Sequence, residues 1–370
     1  MTPMGSSCYA SDLAEIRRCD LHYYSCWSER ISDILPLAGA IVDSEAYNRL
    51  RGITFLGILS PRFADAVSAP IFTKRPRPLP CDGSRWSHSL GVALIALDIA
   101  RSLRFSEAAQ RYAVAWGLLH DIGNWPLSHT GEYAFSRITS SSTRELRRRI
   151  ICSDPSLPSS LWLARAVEDC GMDTATVLAF LDRRTLELST ELRQLLEVLK
   201  SALSPDALEG MWRAGQVFDV PVTHPYEFTR SFFWDLFGIK LDSGFSRRAI
   251  TFWRHRRLIF QRYINRPSIV AWESAWSQAI QRCFSDCELV DSLYLSEIEI
   301  ISKVLREGRP RFTSLSRYKH PIEYTIEPKH RRTLASHASL DELAGVLKER
   351  HLTLSSRDLT HAASRLGTIR

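Results

Sequence analysis

The sequence predicts a mainly α-helical protein, a helical bundle with a small α+β appendage at its C-terminus. Two runs of helix length, Val92 to Ile99 and Tyr112 to Leu119, are almost wholly apolar and read as buried helices. Between Glu145 and Leu203 the apolar residues recur at helical spacing, giving runs Leu146 to Ile151, Leu161 to Cys170, Thr174 to Leu181 and Leu192 to Leu203. Only beyond Arg306 does a period of two appear, at Ile322, Tyr324 and Ile326, followed by an amphipathic stretch from Leu340 to Leu352. The chain accordingly divides into an N-terminal segment (1–30), a helical domain (31–306) and a basic C-terminal appendage (307–370).

At 370 residues with 45% apolar content, the chain is long enough to bury a large core. No apolar stretch reaches the ~18 residues that cross a bilayer, and Met-Thr-Pro-Met-Gly-Ser-Ser opens without a basic-then-apolar leader, so a cytoplasmic protein without a membrane partner is expected. Eight cysteines occur without a C-x-x-C pair, which argues against a zinc ribbon or a thioredoxin-like site. Cys283 and Cys287 read as ordinary reduced thiols. A net charge of +7 favours anionic partners, phosphate above all.

In order along the chain, Ser11 to Ala38 mixes charges with His22, Tyr23, Tyr24 and Trp27 and reads as one or two short helices. Ile41 to Arg51 reads as a helix capped by Asp43 or Ser44, with Leu50 inward. From Leu59 to Asp82 runs a loop with five prolines and the basic cluster Lys74, Arg75, Arg77, which no regular helix or central strand can accommodate. It is expected over the site mouth. Beyond Asp121, Gly123 and Pro126 break the helix, and Ser128 to Glu132 begins the next. Arg147, Arg148 and Arg149 read as a solvated face. Arg247 to Tyr263 is an arginine-rich helix.

Candidate chemistry centres on His120-Asp121, at the end of the apolar run. An imidazole and a carboxylate beside a buried helix need partners. Neighbours on a helix point about 100° apart, so both meet at one point only if a compact cation lies between them. Alone, such a doublet more often marks a polar helix end facing solvent. His88, opening the earlier apolar run, and Asp206, in Ser-Pro-Asp-Ala-Leu-Glu-Gly, would complete a two-His, two-Asp set from three helices. That donor set suits one divalent ion: Mn, Fe, Co, Ni or Zn, or Mg where oxygen ligands predominate.

This pattern resembles the HD superfamily of metal-dependent phosphohydrolases, over roughly Ile31 to Glu273. The wording R-W-S-H-S-L-G-V, H-D-I-G-N-W-P-L-S-H and D-S-E-A-Y-N-R-L-R-G-I is similar to the deoxynucleoside-triphosphate triphosphohydrolase branch. The resemblance implies an HD-domain helical bundle, metal ligands His88, His120, Asp121 and Asp206, and a homo-oligomer. It implies that Arg85 grips a phosphate, that His129 is the general acid and that Glu132 orients it. Asn124 and Arg144 stand where relatives carry histidines, and both can hold an oxyanion. Arg213 persists as a substrate contact, His255 lies near a phosphate-binding arginine, and Tyr263 matches a tyrosine that packs on the nucleoside. Three relatives' positions differ outright: a sugar-recognising glutamine falls at Phe55, and a lysine and tyrosine fall at Ala207 and Gly210.

The expected function is metal-dependent hydrolysis at phosphorus on a nucleotide, with deoxynucleoside triphosphate cleavage as the family default. The altered shell points alternatively to a catalytically weakened module that binds nucleotide as a sensor or assembly component. The basic loop and tail point to a third reading, a nuclease acting on single-stranded nucleic acid.

Overall fold

In the computed structural model, helix α1 (Tyr23–Asp43) bends at Ala38, two residues after a proline that cannot donate to the helical ladder. The structure describes residues 23–63, 67, 83–199, 203–229, 232–235, 238–241, 246–308, 310, 324–326 and 352–354. Ser44 then caps the short α2 (Glu45–Asn48), its hydroxyl accepting from Tyr47 N–H at 3.2 Å. A single 3-10 turn (Arg49–Gly52) follows. The stretch from Ile41 to Arg51, read as one helix, is therefore broken into three pieces, with Leu50 inward as expected.

The most apolar stretch becomes the central helix α3 (Arg85–Ser102). Ser84 caps it by accepting from Ser87 N–H at 3.2 Å, and every residue from Arg85 to Leu97 is buried. Its most extensive partner is α4 (Glu107–Leu119). The two backbones touch at Gly117, where a Cβ would stand 2.4 Å from Ala93 Cα and 2.5 Å from its nitrogen. Next come α5 (Ser128–Ile138), α6 (Thr143–Ile151), α7 (Ala164–Asp169), α8 (Thr174–Asp182) and α9 (Thr190–Leu199). They match the amphipathic runs read from the sequence to within a few residues, apart from Leu161, which closes a separate 3-10 turn. Helix α10 (Pro205–Phe218) packs on α3, capped by the Ser204 hydroxyl, which accepts from Ala207 N–H at 3.1 Å.

After the one-turn α11 (Tyr226–Thr229), strands β1 (Phe232–Asp235) and β2 (Gly238–Leu241) pair antiparallel, with Phe232 opposite Leu241 and Asp235 opposite Gly238. Helix α12 (Ser246–Ile259) passes into a π-helical turn (Phe260–Ile264), so the arginine-rich helix does not reach Tyr263 in regular form. Helix α13 (Pro267–Cys283) packs on α5, and α14 (Leu289–Tyr294) and α15 (Glu297–Lys303) follow. In the appendage, β3 (Tyr324–Ile326) pairs antiparallel with β4 (Leu352–Leu354). The strand expected around Ile326 is present, whereas Leu352, expected at the end of a helix, opens a strand. The rest of that helix, the basic cluster at Lys74 to Arg77 and most of the N-terminal segment lie outside the described residues. Among the described residues, no helix is long and apolar enough to cross a membrane.

One group of charges departs from the expected solvated face. Arg147 turns inward from α6, its Nη1 donating to the His120 carbonyl at 3.2 Å and its Nη2 to Asp182 Oδ1 at 2.8 Å. A Cβ at Gly123 would meet the Thr143 carbonyl oxygen at 2.2 Å and Arg147 N at 2.8 Å. Glycine lets the loop after the doublet lie against α6, and Arg147 ties it there.

Gly117→Ala should separate α3 from α4, because two backbones rather than flexible side-chain ends would have to give. Overpacking of this kind costs about 1–3 kcal/mol, and chemical denaturation with an unchanged slope should register that loss.

Candidate metal centre

Three helices bring the expected side chains to one place. His88 lies in the first turn of α3, His120 caps the C-terminus of α4, and Asp206 lies in the first turn of α10. Asp206 Oδ1 stands 3.3 Å from His88 Nε2 and 3.9 Å from His120 Nε2. One ligand atom from each of His88, His120 and Asp206 lies within 4.8 Å of the others. Asp121 lies beside this group, its Oδ2 3.4 Å from His120 Nε2 and 3.7 Å from His88 Nε2. The rings of His88 and His120 meet edge to face with centroids 5.3 Å apart, and Trp116 stacks on His120.

Both imidazoles are oriented by their other nitrogen. His120 Nδ1 faces the Gly117 carbonyl at 2.8 Å, and His88 Nδ1 faces Glu209 Oε2 in a short contact. A carbonyl only accepts, so His120 is protonated at Nδ1 and its Nε2 carries the lone pair. Both Nε2 atoms are buried; His88 Nε2 faces Asp206, and among the described residues His120 Nε2 has no hydrogen-bond partner. Two buried imidazole nitrogens turned towards one carboxylate offer the donors that a divalent ion requires. The donor set of imidazole nitrogen and carboxylate oxygen fits Mn, Fe, Co, Ni or Zn.

The charges agree. Burial works to raise the Asp121 pKa, but Arg85, His120 and His88 override it and hold the group well below the usual carboxylate range. Desolvation acts the same way on Asp206, and His88 with His120 again overrides it. Burial works against a proton on His88, yet Glu209, Asp206 and Asp121 together outweigh it, so the His88 pKa lies above that of an ordinary histidine. The side chain of Asp206 is 54% exposed, which leaves this face of the site open to solvent.

Glu209 was not among the residues singled out from the sequence. It lies three residues after Asp206, on the same face of α10, so one helix flanks both nitrogens of His88 with carboxylates. Its burial is complete, and Arg213, one turn further, neutralises it through Nε at 3.0 Å and a short Nη2 contact. Arg213 Nη1 also donates to Ser87 Oγ at 3.1 Å. Arg213, expected on the substrate, has no exposed surface; it holds the carboxylate that orients His88. The i, i+3, i+7 spacing of Asp206, Glu209 and Arg213 was the available signal.

Arg85, expected on phosphate, is only 3% exposed and is enclosed by protein groups. Its Nη1 donates to Asp121 Oδ2 at 2.5 Å, Nε to Ser128 Oγ at 3.0 Å and Nη2 to the Phe55 carbonyl at 3.0 Å. Nη2 also lies 3.0 Å from His129 Nε2. A guanidinium cannot accept, so His129 Nε2 accepts and the ring proton lies on Nδ1, 3.7 Å from Glu132 Oε2. The expected His129 and Glu132 pairing thus exists at ion-pair distance. His129 follows two residues with positive φ, Leu127 (62°) and Ser128 (47°), a conformation that costs on the order of 1–3 kcal/mol for each such residue.

Arg144 is 64% exposed and donates through Nε to Asp182 at 3.0 Å, so its partner is a carboxylate of α8. Asn124 is buried in the turn after the doublet, its N–H donating to the Asp121 carbonyl at 2.9 Å. Tyr263 stacks face to face on Phe218 at 4.5 Å and belongs to the packing of α10 against the π turn. His255 is half-buried, and its Nδ1 has no hydrogen-bond partner. The α12 cation that feels Asp206 is its neighbour Arg256: burial pulls its pKa down to about 10 while Asp206 works the other way. Phe55 covers one face of His88 with centroids 4.5 Å apart, and Gly210 makes room for it, since a Cβ there would lie 3.1 Å from Phe55 Cζ.

Comparison with known proteins agrees with this geometry. The family model described as HD domain matches residues 85–153, a span that contains His88, the doublet, His129 and Glu132, and this match supports the HD-domain phosphohydrolase superfamily. HD domains bind divalent metals and are generally metal-dependent hydrolases. The fold is similar to the crystal structure of a hypothetical protein from Aquifex aeolicus, solved at 2.0 Å, with a TM-score of 0.58. That similarity covers 79% of this chain and 74% of the other at 18% identity, and it speaks for the fold alone. No curated protein matches the sequence.

Glu209→Gln should weaken divalent-metal affinity by about 10- to 100-fold, the usual range for an outer partner of a ligating histidine, as measured by calorimetric titration. Because the metal needs His88 neutral and its pKa is raised, loading at neutral pH should release a proton, and affinity should fall as the pH is lowered. Titration in buffers of different ionisation enthalpy measures that proton.

Proposed function

We propose that this protein is a metal-dependent phosphohydrolase acting on nucleotides. The observation that carries the reading is the meeting of His88, His120 and Asp206, both Nε2 atoms buried and turned towards the carboxylate, with Asp121 alongside. Asp121 completes the ligand set in this reading. A divalent ion held there would supply a Lewis acid for a phosphate oxygen and lower the pKa of water towards ~7.

The chain's own residues supply the rest. Arg85 lies beside Asp121, at the edge of the site, and a phosphate oxygen is a stronger acceptor than the neutral His129 Nε2 it now faces. Turning Arg85 on to a phosphate frees that nitrogen. His129, with Glu132 3.7 Å from its Nδ1, then takes a proton from solvent at the freed Nε2 and passes it to the leaving oxygen. Arg256, close enough to Asp206 to feel its charge, is placed to neutralise a second phosphate oxygen. A nucleoside di- or triphosphate offers the negative charge that these arginines and the net charge of +7 favour.

A second reading, nucleotide binding without turnover, is favoured by one feature. Arg144 and Arg213, two of the expected substrate contacts, are instead paired with Asp182 and Glu209.

Mn-loaded protein should release phosphate, pyrophosphate or triphosphate from a panel of nucleotides, and His120→Ala should abolish the release. Binding of the same nucleotides with no product would favour the second reading; chain shortening of single-stranded DNA would point to a nuclease. His129→Ala should lower turnover about 100-fold or more while leaving metal content intact, as expected for loss of a general acid.

A further inference from the structure

A buried carboxylate far from the metal ligands in sequence ties together the two segments that aim Arg85 and His129. Glu297, in the first turn of α15, is 2% exposed. Its Oε1 accepts from Thr54 N–H at 2.9 Å, from Leu127 N–H at 2.7 Å and from Thr54 Oγ1 at 3.2 Å. Thr54 adjoins Phe55, whose carbonyl accepts from Arg85 Nη2. Leu127 opens the left-handed turn that places Ser128 and His129. Ser128 closes the loop, its hydroxyl donating to the Thr54 carbonyl while accepting from Arg85 Nε. The Thr54 segment is also bridged to Ser84, the cap of the helix that carries Arg85.

We propose that Glu297 is a positioning residue for the phosphohydrolase reaction: its Oε1 locks the strained Leu127-Ser128 turn to the Thr54-Phe55 segment, holding Arg85 and His129 in register. Three points support it. The turn has positive φ at two consecutive non-glycine residues, a conformation that persists only where its surroundings determine it, and the Leu127 N–H is donated to Glu297. Alternatives are closed off by packing, since a Cβ at Gly57 would meet the Leu127 carbonyl oxygen at 2.2 Å and one at Gly131 the Pro126 carbonyl oxygen at 1.7 Å. Among the described residues the second oxygen, Oε2, is buried without a hydrogen-bond partner, and Oε1 accepts all three of these bonds. Burial pushes the Glu297 pKa up to about 7 although Thr54, Leu127 and Arg62 pull it down.

The proposal rests on the phosphohydrolase reading, and two variants of the full-length, Mn-loaded chain test it. Glu297→Met keeps the volume and removes the acceptor; Glu297→Gln keeps one carbonyl oxygen. The probe is an equimolar mixture of the four deoxynucleoside triphosphates, read by product release, alongside Mn affinity and hydrogen exchange of residues 53–56 and 125–129. The Met variant should lose at least tenfold in turnover at saturating substrate, bind Mn within threefold of wild type, and exchange those amides at least tenfold faster. The Gln variant should stay within threefold of wild type in all three. Wild-type turnover in the Met variant, or a Gln variant as impaired as Met, would overturn the proposal. If the wild type itself releases no product from this mixture, the phosphohydrolase reading fails on that probe, and exchange alone decides: faster exchange in the Met variant sustains the lock, unchanged exchange overturns it. If the Met variant does not fold, the Gln variant decides by the same threefold limit.

Discussion

The arrangement depends on a charge that could not be buried alone. Glu209 has no exposed surface, and it is tolerable there because His88 lies on one side and Arg213 on the other. An unpaired carboxylate at that depth would cost several kcal/mol or would take up a proton. With both partners present, the row Arg213, Glu209, His88 fixes the imidazole plane and turns Nε2 towards Asp206. The row also welds α10 to α3. The site's geometry and the packing of its two principal helices are therefore one interaction, and a change that loosens either would loosen both.

A second constraint acts on the loops. The turn after the doublet is held by Arg49, which donates to the Ile122 carbonyl at 2.7 Å and the Asn124 carbonyl at 2.9 Å, and by Arg147, which donates to the His120 carbonyl. The end of α4 is closed by its own neighbours, His120 N–H donating to the Trp116 carbonyl and Ile122 N–H to the Leu119 carbonyl, so the arginines satisfy the carbonyls of the turn that follows. Backbone polar groups beside the site are thus met by long cationic side chains from other elements. Much of the arginine near this site is thus structural.

The helical framework was legible in the sequence because its signal is local: apolar runs at helical spacing, and a cap at Asp43 or Ser44; the caps at Ser84 and Ser204 and the close approach at Gly117 emerge only from the structure. The cluster of His88, His120 and Asp206 was legible for a different reason, since imidazole and carboxylate rarely border buried helices without a common partner. What was not legible was the use of each charge. Arg213, Arg144 and Arg147 look alike in sequence, and which of them meets Glu209, Asp182 or a backbone carbonyl depends on distant pairings. Glu209 and Glu297 escaped notice because nothing local distinguishes a buried acceptor from a helix-start glutamate on a solvated face. The β1 and β2 hairpin, Phe-Phe-Trp-Asp and Gly-Ile-Lys-Leu, carried a readable strand composition that the helical surroundings obscured.

The central claim is that one cation is held by side chains from α3, α4 and α10. Anomalous scattering from crystals grown with Mn tests it most directly. The account predicts a single strong peak within bonding distance of His88 Nε2, His120 Nε2, Asp121 and Asp206. A fully occupied peak elsewhere with none at this place, or no bound ion at millimolar Mn, would contradict it.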